Sequence, residues 1–103
     1  MSRPELVVAG GTAVVTGAAG GMGEHIATGL ARRGADLVVL DRDADGLDRV
    51  VAEIGRETPG ARVTPFVVDL ADRAAADETI ERIHDEHPGV TMLFNNAGVA
   101  VGG

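Results

Sequence analysis

The stretch Thr16-Gly17-Ala18-Ala19-Gly20-Gly21-Met22-Gly23 decides the fold of this chain. It follows a short apolar run, residues 13–15, and precedes a segment whose apolar residues have helical spacing, which predicts a strand–turn–helix junction. The first amides of a helix have no intrahelical acceptor and carry partial positive charge, so they can bind a pyrophosphate. We expect Gly17 to allow the tight turn, Gly21 the close approach of the phosphate, and Gly23 the packing of the helix on the strand.

Strands and helices are predicted to alternate along the rest of the chain. Apolar runs predict strands at residues 12–16, 37–40, 62–68 and 90–94, and periodicity predicts further helices at 44–57 and 71–86. The residues expected to face inward are Met22, Ile26, Ala27, Leu30 and Ala31 in the first helix, Leu47, Val50, Val51 and Ile54 in the second, and Ala76, Ile80 and Ile83 in the third.

This alternation predicts right-handed crossovers and a parallel sheet. The expected strand order is 3-2-1-4, the first half of an α/β doubly wound nucleotide-binding fold. Pro65 fits that order, because proline cannot donate to a strand ladder and strand three lies at an edge. We expect residues 1–11 to be a lead-in and residues 12–103 to be a partial dinucleotide-binding domain, truncated after strand four.

The composition excludes several classes of protein. The 103 residues suit one small domain at most, and 45% are hydrophobic. A formal net charge of −7 argues against binding to nucleic acid or to an anionic membrane. No apolar run approaches the ~20 residues of a membrane span, so a cytoplasmic protein is expected. The sequence contains no cysteine, which excludes disulfides and thiolate metal sites.

Four features in order resemble the short-chain dehydrogenase/reductase family. The first is the spacing Thr-Gly-x-x-x-Gly-x-Gly, and another is Asn95-Asn96-Ala97-Gly98, which is similar to that family's motif after the fourth strand. Between them, Asp41 and Asp69-Leu70 end the second and third strands. The resemblance covers nearly the whole chain but only the first half of the family's fold. It implies a Rossmann-type fold and hydride transfer between a nicotinamide cofactor and a carbonyl or alcohol substrate.

Asp41 bears on the choice of cofactor. A carboxylate at the end of strand two can accept hydrogen bonds from both hydroxyls of the adenosine ribose and repels a 2′-phosphate, which favours NAD over NADP. The neighbouring Arg42 moderates this preference, because it can pair with a phosphate. A solvated loop aspartate is the alternative.

The remaining candidate residues end strands three and four. By resemblance, Asp69 and Leu70 receive the adenine through a side-chain acceptor and a backbone amide, although Asp69 can also cap the third helix. Asparagines after strand four can tie strand ends together, and a plain turn is the alternative. The predicted cofactor-binding residues are Gly17, Ala19, Gly20, Gly21, Met22, Gly23, Asp41, Arg42, Asp69, Leu70, Asn95, Asn96, Ala97 and Gly98.

No catalytic residue can be assigned in this sequence. The family's reaction uses a tyrosine as acid and base, a lysine that lowers the pKa of the tyrosine, and a serine that orients the substrate. The chain has no tyrosine and no lysine, and its only serine is Ser2, so we expect it to be inactive alone. Either it is the cofactor-binding part of a longer reductase, and only that full-length form could be a homo-oligomer, or it is a non-catalytic nucleotide-binding remnant. An unpaired fourth strand favours the first.

Two patterns that suggest metal sites are weak. Residues 41–46 begin like a calcium-binding loop, but position 12 of such a loop should be glutamate and is Ala52 here. His84 and His87 are three residues apart near a predicted helix end, and no third ligand is suggested by the sequence. We therefore expect no metal.

Overall fold

Four parallel strands and three helices alternate in the computed structural model, which describes residues 8–96. The elements are β1 (Thr12–Thr16), α1 (Gly21–Arg32), β2 (Asp36–Asp41), α2 (Ala44–Glu57), β3 (Val63–Val67), α3 (Arg73–Glu86) and β4 (Val90–Asn95). The strands pair in the order β3-β2-β1-β4, and every pairing is parallel. This confirms the predicted α/β Rossmann-type sheet and its order.

Helices cover both faces of the sheet. Because successive side chains of a strand point to opposite faces, Val15 and Val39 pack with Leu47 of α2 on one face. Val14 and Val38 pack with Ile83 of α3 on the other face. The central strands β1 and β2 are therefore buried on both sides, which explains why their sequences are apolar without alternation.

The edge position of Pro65 is confirmed. Pro65 lies in β3 opposite Val39, and β3 is the outer strand beside β2. Its neighbour Phe66 points inward and is buried under α3, where the guanidinium of Arg82 lies 5.0 Å from the ring centre. Proline is thus accommodated because this strand has a ladder partner on one side only within the described sheet.

Helix α3 begins two residues later than predicted, at Arg73 rather than residue 71. The physical reason is the N-cap. The side chain of Asp72 accepts a hydrogen bond from the amide of Ala75 and starts the helix there. The carboxylate of Asp69 instead accepts the amide of Ala71, within the preceding turn. The cap role considered for Asp69 is therefore wrong.

Two residues predicted to face inward are exposed. Met22 is 71% exposed because the buried face of α1 runs through Gly23, Ala27 and Leu30, which places residue 22 on a different side of the helix. Ile80 is 58% exposed and lines an apolar groove beside β4, together with Leu93, which is 66% exposed. Strand β4 is the second edge of the described sheet, so no further element among residues 8–96 covers this groove.

Candidate functional site

A cleft of about 420 Å³ lies at the carboxyl ends of the four strands. Parallel α/β sheets bind ligands at this edge, where the strand order reverses. The volume falls within the roughly 300–1,000 Å³ of small-molecule sites. The residues that line the cleft are Gly17, Gly20, Leu40, Asp41, Arg42, Val68, Asp69, Leu70, Ala71 and Asn96.

Seven residues predicted from the sequence line this cleft: Gly17, Gly20, Asp41, Arg42, Asp69, Leu70 and Asn96. Ala19, Gly21, Met22, Gly23 and Asn95 do not line it, and Ala97 and Gly98 lie outside the described residues. The sequence interpretation missed Leu40, Val68 and Ala71. Their positions at or just beyond the ends of β2 and β3 were the available signal, because ligands contact the carboxyl ends of such strands.

The glycine loop turns sharply between β1 and α1. Gly17 has φ +65°, a left-handed conformation, and its carbonyl accepts the amide of Gly20 at 3.1 Å. A Cβ added at Gly23 would lie 2.0 Å from the carbonyl oxygen of Gly17, so only glycine allows α1 to approach the loop this closely. The predicted role of Gly17 in the turn is confirmed. Gly23 allows close packing of α1, but the contact is with residues 17 and 18 of the loop and not with the strand as predicted.

The first turn of α1 has no side-chain cap. Its N-cap residue is Gly20, and the first intrahelical hydrogen bond runs from the amide of Glu24 to the carbonyl of Gly20. In contrast, Asp43 caps α2 and Asp72 caps α3. Among the three described helices, α1 alone therefore presents its first amides without a carboxylate acceptor.

Open space surrounds the side of Gly21. A Cβ added there would meet no atom within 4 Å, so no packing constraint among the described residues requires glycine at this position. An anionic oxygen suits this place, because it finds free amides, the positive end of the helix and no obstructing side chain. The arrangement fits a phosphate group.

The carboxylate of Asp41 joins the glycine loop to the end of β2. Its Oδ2 accepts the amide of Ala19 at 2.9 Å, and its Oδ1 accepts the amide of Asp43 at 2.9 Å. A parallel backbone bond runs from the amide of Ala18 to the carbonyl of Leu40, at 3.1 Å. Because a carboxylate has about four acceptor positions, Asp41 retains capacity for further donors at the cleft.

A second polar cluster joins β1 to β4. The hydroxyl of Thr16 donates to Oδ1 of Asn95 at 2.8 Å and accepts the amide of Asn96 at 2.9 Å. Thr16 is 6% exposed, and among residues 8–96 it is the one residue with a polar side chain that is buried. An asparagine side chain therefore ties the strand ends together, as expected. Asn96 contributes its backbone, and its buried Nδ2 has no hydrogen-bond partner within residues 8–96.

Charged groups near the cleft are few. Asp41 and Asp69 contribute carboxylates and Arg42 a guanidinium to its lining.

Away from the cleft, the hydrogen bond that Arg56 donates to Glu53, in the second half of α2, lowers the pKa of that carboxyl and raises the pKa of the guanidinium. Within residues 8–96, no group of three metal-ligating side chains occurs, and no helix is long and apolar enough to span a membrane.

Residues 11–103 match the family described as short chain dehydrogenase. The chain belongs to this family. Among curated relatives, gluconate 5-dehydrogenase of Gluconobacter oxydans is 38% identical over 100 residues, which are 96% of this chain and 38% of that protein. The 2,3-dihydro-2,3-dihydroxybenzoate dehydrogenase of Bacillus subtilis is 38% identical over 92 residues, or 89% of this chain and 34% of that enzyme.

Solved structures of similar proteins have the same fold. L-sorbose reductase from Gluconobacter frateurii, complexed with NADPH and L-sorbose, superposes with a TM-score of 0.80 and 34% identity, covering 88% of this chain and 34% of the reductase. NAD⁺-bound xylitol dehydrogenase superposes with a TM-score of 0.81 and 28% identity, covering 88% and 34%. The chain thus spans about a third to two-fifths of the length of these relatives.

Proposed function

We propose that this chain is the cofactor-binding part of an NAD(P)-dependent oxidoreductase that interconverts a carbonyl and an alcohol. The observation that carries the proposal is the cleft itself, which Gly17 and the N-cap residue Gly20 of the glycine loop line together with Asp41. The glycine loop suits an anion, and the carboxylate of Asp41 suits hydroxyl donors. An adenosine diphosphate unit has both a diphosphate anion and ribose hydroxyls. The bound cofactor would supply the nicotinamide that carries the hydride.

The pyrophosphate is assigned to the first turn of α1. The amides of Gly21, Met22 and Gly23 precede the first intrahelical hydrogen bond and are available as donors. Support comes from the contrast with α2 and α3, where an aspartate occupies the equivalent position. Because the loop contains no lysine or arginine, the charge of the phosphates would be stabilised by hydrogen bonds from backbone amides.

The adenosine is assigned to the ends of β2, β3 and β4. The carboxylate of Asp41 would accept hydrogen bonds from the ribose hydroxyls. Asp69 and Leu70 would bind the adenine beside Val68. Asn95, Asn96, Ala97 and Gly98 complete the proposed set, with Ala97 and Gly98 leaving room for the ribose. The lining contains both charged and apolar residues, which suits a base that needs both an acceptor and an apolar contact.

NAD is the proposed cofactor, in preference to NADP. A 2′-phosphate placed at the ribose would lie beside the carboxylate of Asp41 and be repelled, because the two like charges would share a partly enclosed site. Arg42, exposed next to it, reduces this penalty without removing it. Relatives do not share one cofactor, since one solved relative holds NADPH and another NAD⁺.

The chemical step is assigned to sequence outside this chain. The 103 residues contain neither tyrosine nor lysine, so they cannot supply the family's acid–base centre. We propose that the substrate is a small carbonyl or alcohol compound bound by that additional part, that oligomer contacts also arise there, and that the protein works in the cytoplasm. A non-catalytic nucleotide-binding remnant is the second candidate, and the same missing residues favour it.

Calorimetric titration tests the proposal. NAD should bind to the protein, NADP should bind more weakly, and NAD should compete with ADP for one site. Absence of NAD binding by the folded protein would contradict the assignment. The intact mass of the native protein then separates the two candidates, because a remnant has a mass of 10.5 kDa and a reductase a larger one.

A further inference from the structure

We propose that Asp41 and Gly46 hold the glycine loop in its phosphate-binding conformation before any cofactor is present. In this view the turn between β2 and α2 is a positioning element for the pyrophosphate site, in addition to its contact with the ribose. The geometric part of the proposal stands on contacts between described residues, and its consequence for binding rests on the proposed function.

The contacts of Asp41 are made within the protein. One carboxylate oxygen accepts the amide of Ala19 in the loop, and the other accepts the amide of Asp43 in the turn, each at 2.9 Å. The two donors belong to segments that are separated by a whole helix and strand in sequence. A single side chain thus fixes the loop to the turn. Because the acceptor is a charged carboxylate, the two hydrogen bonds are stronger than those to a neutral acceptor.

Gly46 lets α2 seat directly against the same loop. A Cβ added at Gly46 would lie 2.9 Å from the Cβ of Ala19 and 2.5 Å from Oδ2 of Asp43. Its amide is also the donor to the capping carboxylate of Asp43, at 3.0 Å. A methyl group at position 46 must therefore displace the loop residue Ala19 or the Asp43 cap, which is linked to Asp41 through its amide.

The expected consequence is preorganisation of the phosphate site. Glycine-rich segments lose much conformational freedom when they become ordered, so an untied loop would spend part of its time in other conformations. The apparent dissociation constant rises in inverse proportion to the fraction of protein in the competent conformation. If loosening lowers that fraction to about a tenth, the affinity for a dinucleotide falls about tenfold.

The test uses Gly46→Ala, with Gly55→Ala in the same helix as its matched control. Gly55 is exposed, and a Cβ there would meet no atom within 4 Å. Amide hydrogen exchange of Ala19, measured by NMR without ligand, reports the loop directly. Binding is measured with NAD and with 2′,3′-dideoxyadenosine diphosphate, which has the diphosphate but no ribose hydroxyls.

We expect Gly46→Ala to speed exchange at Ala19 and to weaken both ligands by a similar factor, about tenfold, while Gly55→Ala changes neither. Asp41→Ala should speed the same exchange and also weaken the dideoxy ligand. Removing a negative charge would by itself strengthen binding of a diphosphate, so weakening identifies loss of the loop conformation. If Gly46→Ala does not fold, Asp41→Ala decides the question through its affinity for the dideoxy ligand, because this variant removes the acceptor of the Ala19 amide and speeds its exchange directly.

Unchanged exchange at Ala19 in both folded variants would overturn the proposal, and so would faster exchange with unchanged affinity for the dideoxy ligand. Failure of the proposed function has a different signature, namely no NAD binding by the unmodified protein. In that case the exchange data alone decide whether Asp41 and Gly46 hold the loop. Faster exchange in both variants supports that role, and unchanged exchange contradicts it.

Discussion

The carboxylate of Asp41 accepts the backbone amide of Ala19 at 2.9 Å, across 22 positions of sequence. This bond joins the residue assigned to the ribose with the loop assigned to the phosphates. The two parts of the candidate site are therefore directly linked, and a substitution in one part should alter the conformation of the other.

Replacing Asp41 should weaken NAD binding. Asp41→Ala removes the charged acceptor of the ribose hydroxyls, and loss of hydrogen bonds to a charged group costs roughly 1.5–3 kcal/mol, or about tenfold to a hundredfold in affinity. Calorimetry on the folded variant measures this. Asp48→Ala, at an exposed position of α2, is the control because it removes the same charge away from the cleft. Equal affinities in the two variants would refute the ribose assignment.

A branched side chain at Gly21 should block the pyrophosphate. Gly21→Val would extend a side chain into the open space beside the first amides of α1, where an added Cβ meets no atom within 4 Å, so we expect the fold to survive. NAD affinity should drop by at least tenfold, because the phosphates can no longer reach those amides. Gly29→Val in the same helix, where a Cβ also meets nothing within 4 Å, controls for the change in helix propensity from glycine to valine. Normal binding by Gly21→Val would place the phosphates elsewhere.

Alanine at Gly23 should destabilise the fold. Its Cβ would lie 2.0 Å from the carbonyl oxygen of Gly17, so α1 or the loop must shift. We expect a loss of about 1–3 kcal/mol in the free energy of unfolding, as for other overpacked positions. Gly29→Ala should instead add up to about 1 kcal/mol through helix propensity. Urea denaturation of both variants tests the pair, and a Gly23→Ala protein as stable as Gly29→Ala would contradict the close approach.

The hydroxyl of Thr16 should stabilise the junction between β1 and β4. Thr16→Val keeps the shape but leaves the amide of Asn96 and the side chain of Asn95 without this partner. Removing one partner of a buried hydrogen bond costs about 1–3 kcal/mol. Thr16→Ser retains the hydroxyl and should recover most of the loss. Coincident denaturation curves for Thr16→Val and the unmodified protein would show that these hydrogen bonds contribute nothing to the free energy of unfolding.

Much of the fold could be predicted from the sequence because clear start and stop signals bound several of its elements. Strand β1 and helix α2 have the predicted bounds, 12–16 and 44–57, since a glycine loop ends one and Thr58-Pro59-Gly60 follows the other. The start of α3 was predicted too early because Asp69 and Asp72 are both suitable caps, and only the backbone geometry selects Asp72. Ile80 fits a helical pattern, but its burial depends on which elements surround the helix.

The site was predictable in outline and not in its connections. The rule that ligands bind at the carboxyl ends of parallel strands brings Gly17, Asp41, Asp69 and Asn96 to one cleft, as the structure does. The bond from Asp41 to Ala19 and the contact of Gly46 with the loop depend on how far α2 sits from α1. No local pattern encodes that distance, so these contacts appear only once the helices are packed on the sheet.

An NMR titration of the protein with NAD tests the central claim most directly. We expect the largest amide shifts at Gly21, Met22 and Gly23, with a second group at Asp41, Asp69 and Leu70. We expect Gly21→Val to abolish the first group. Shifts of comparable size elsewhere, with the amides of residues 21–23 unmoved at saturating NAD, would contradict the claim that this loop holds the pyrophosphate.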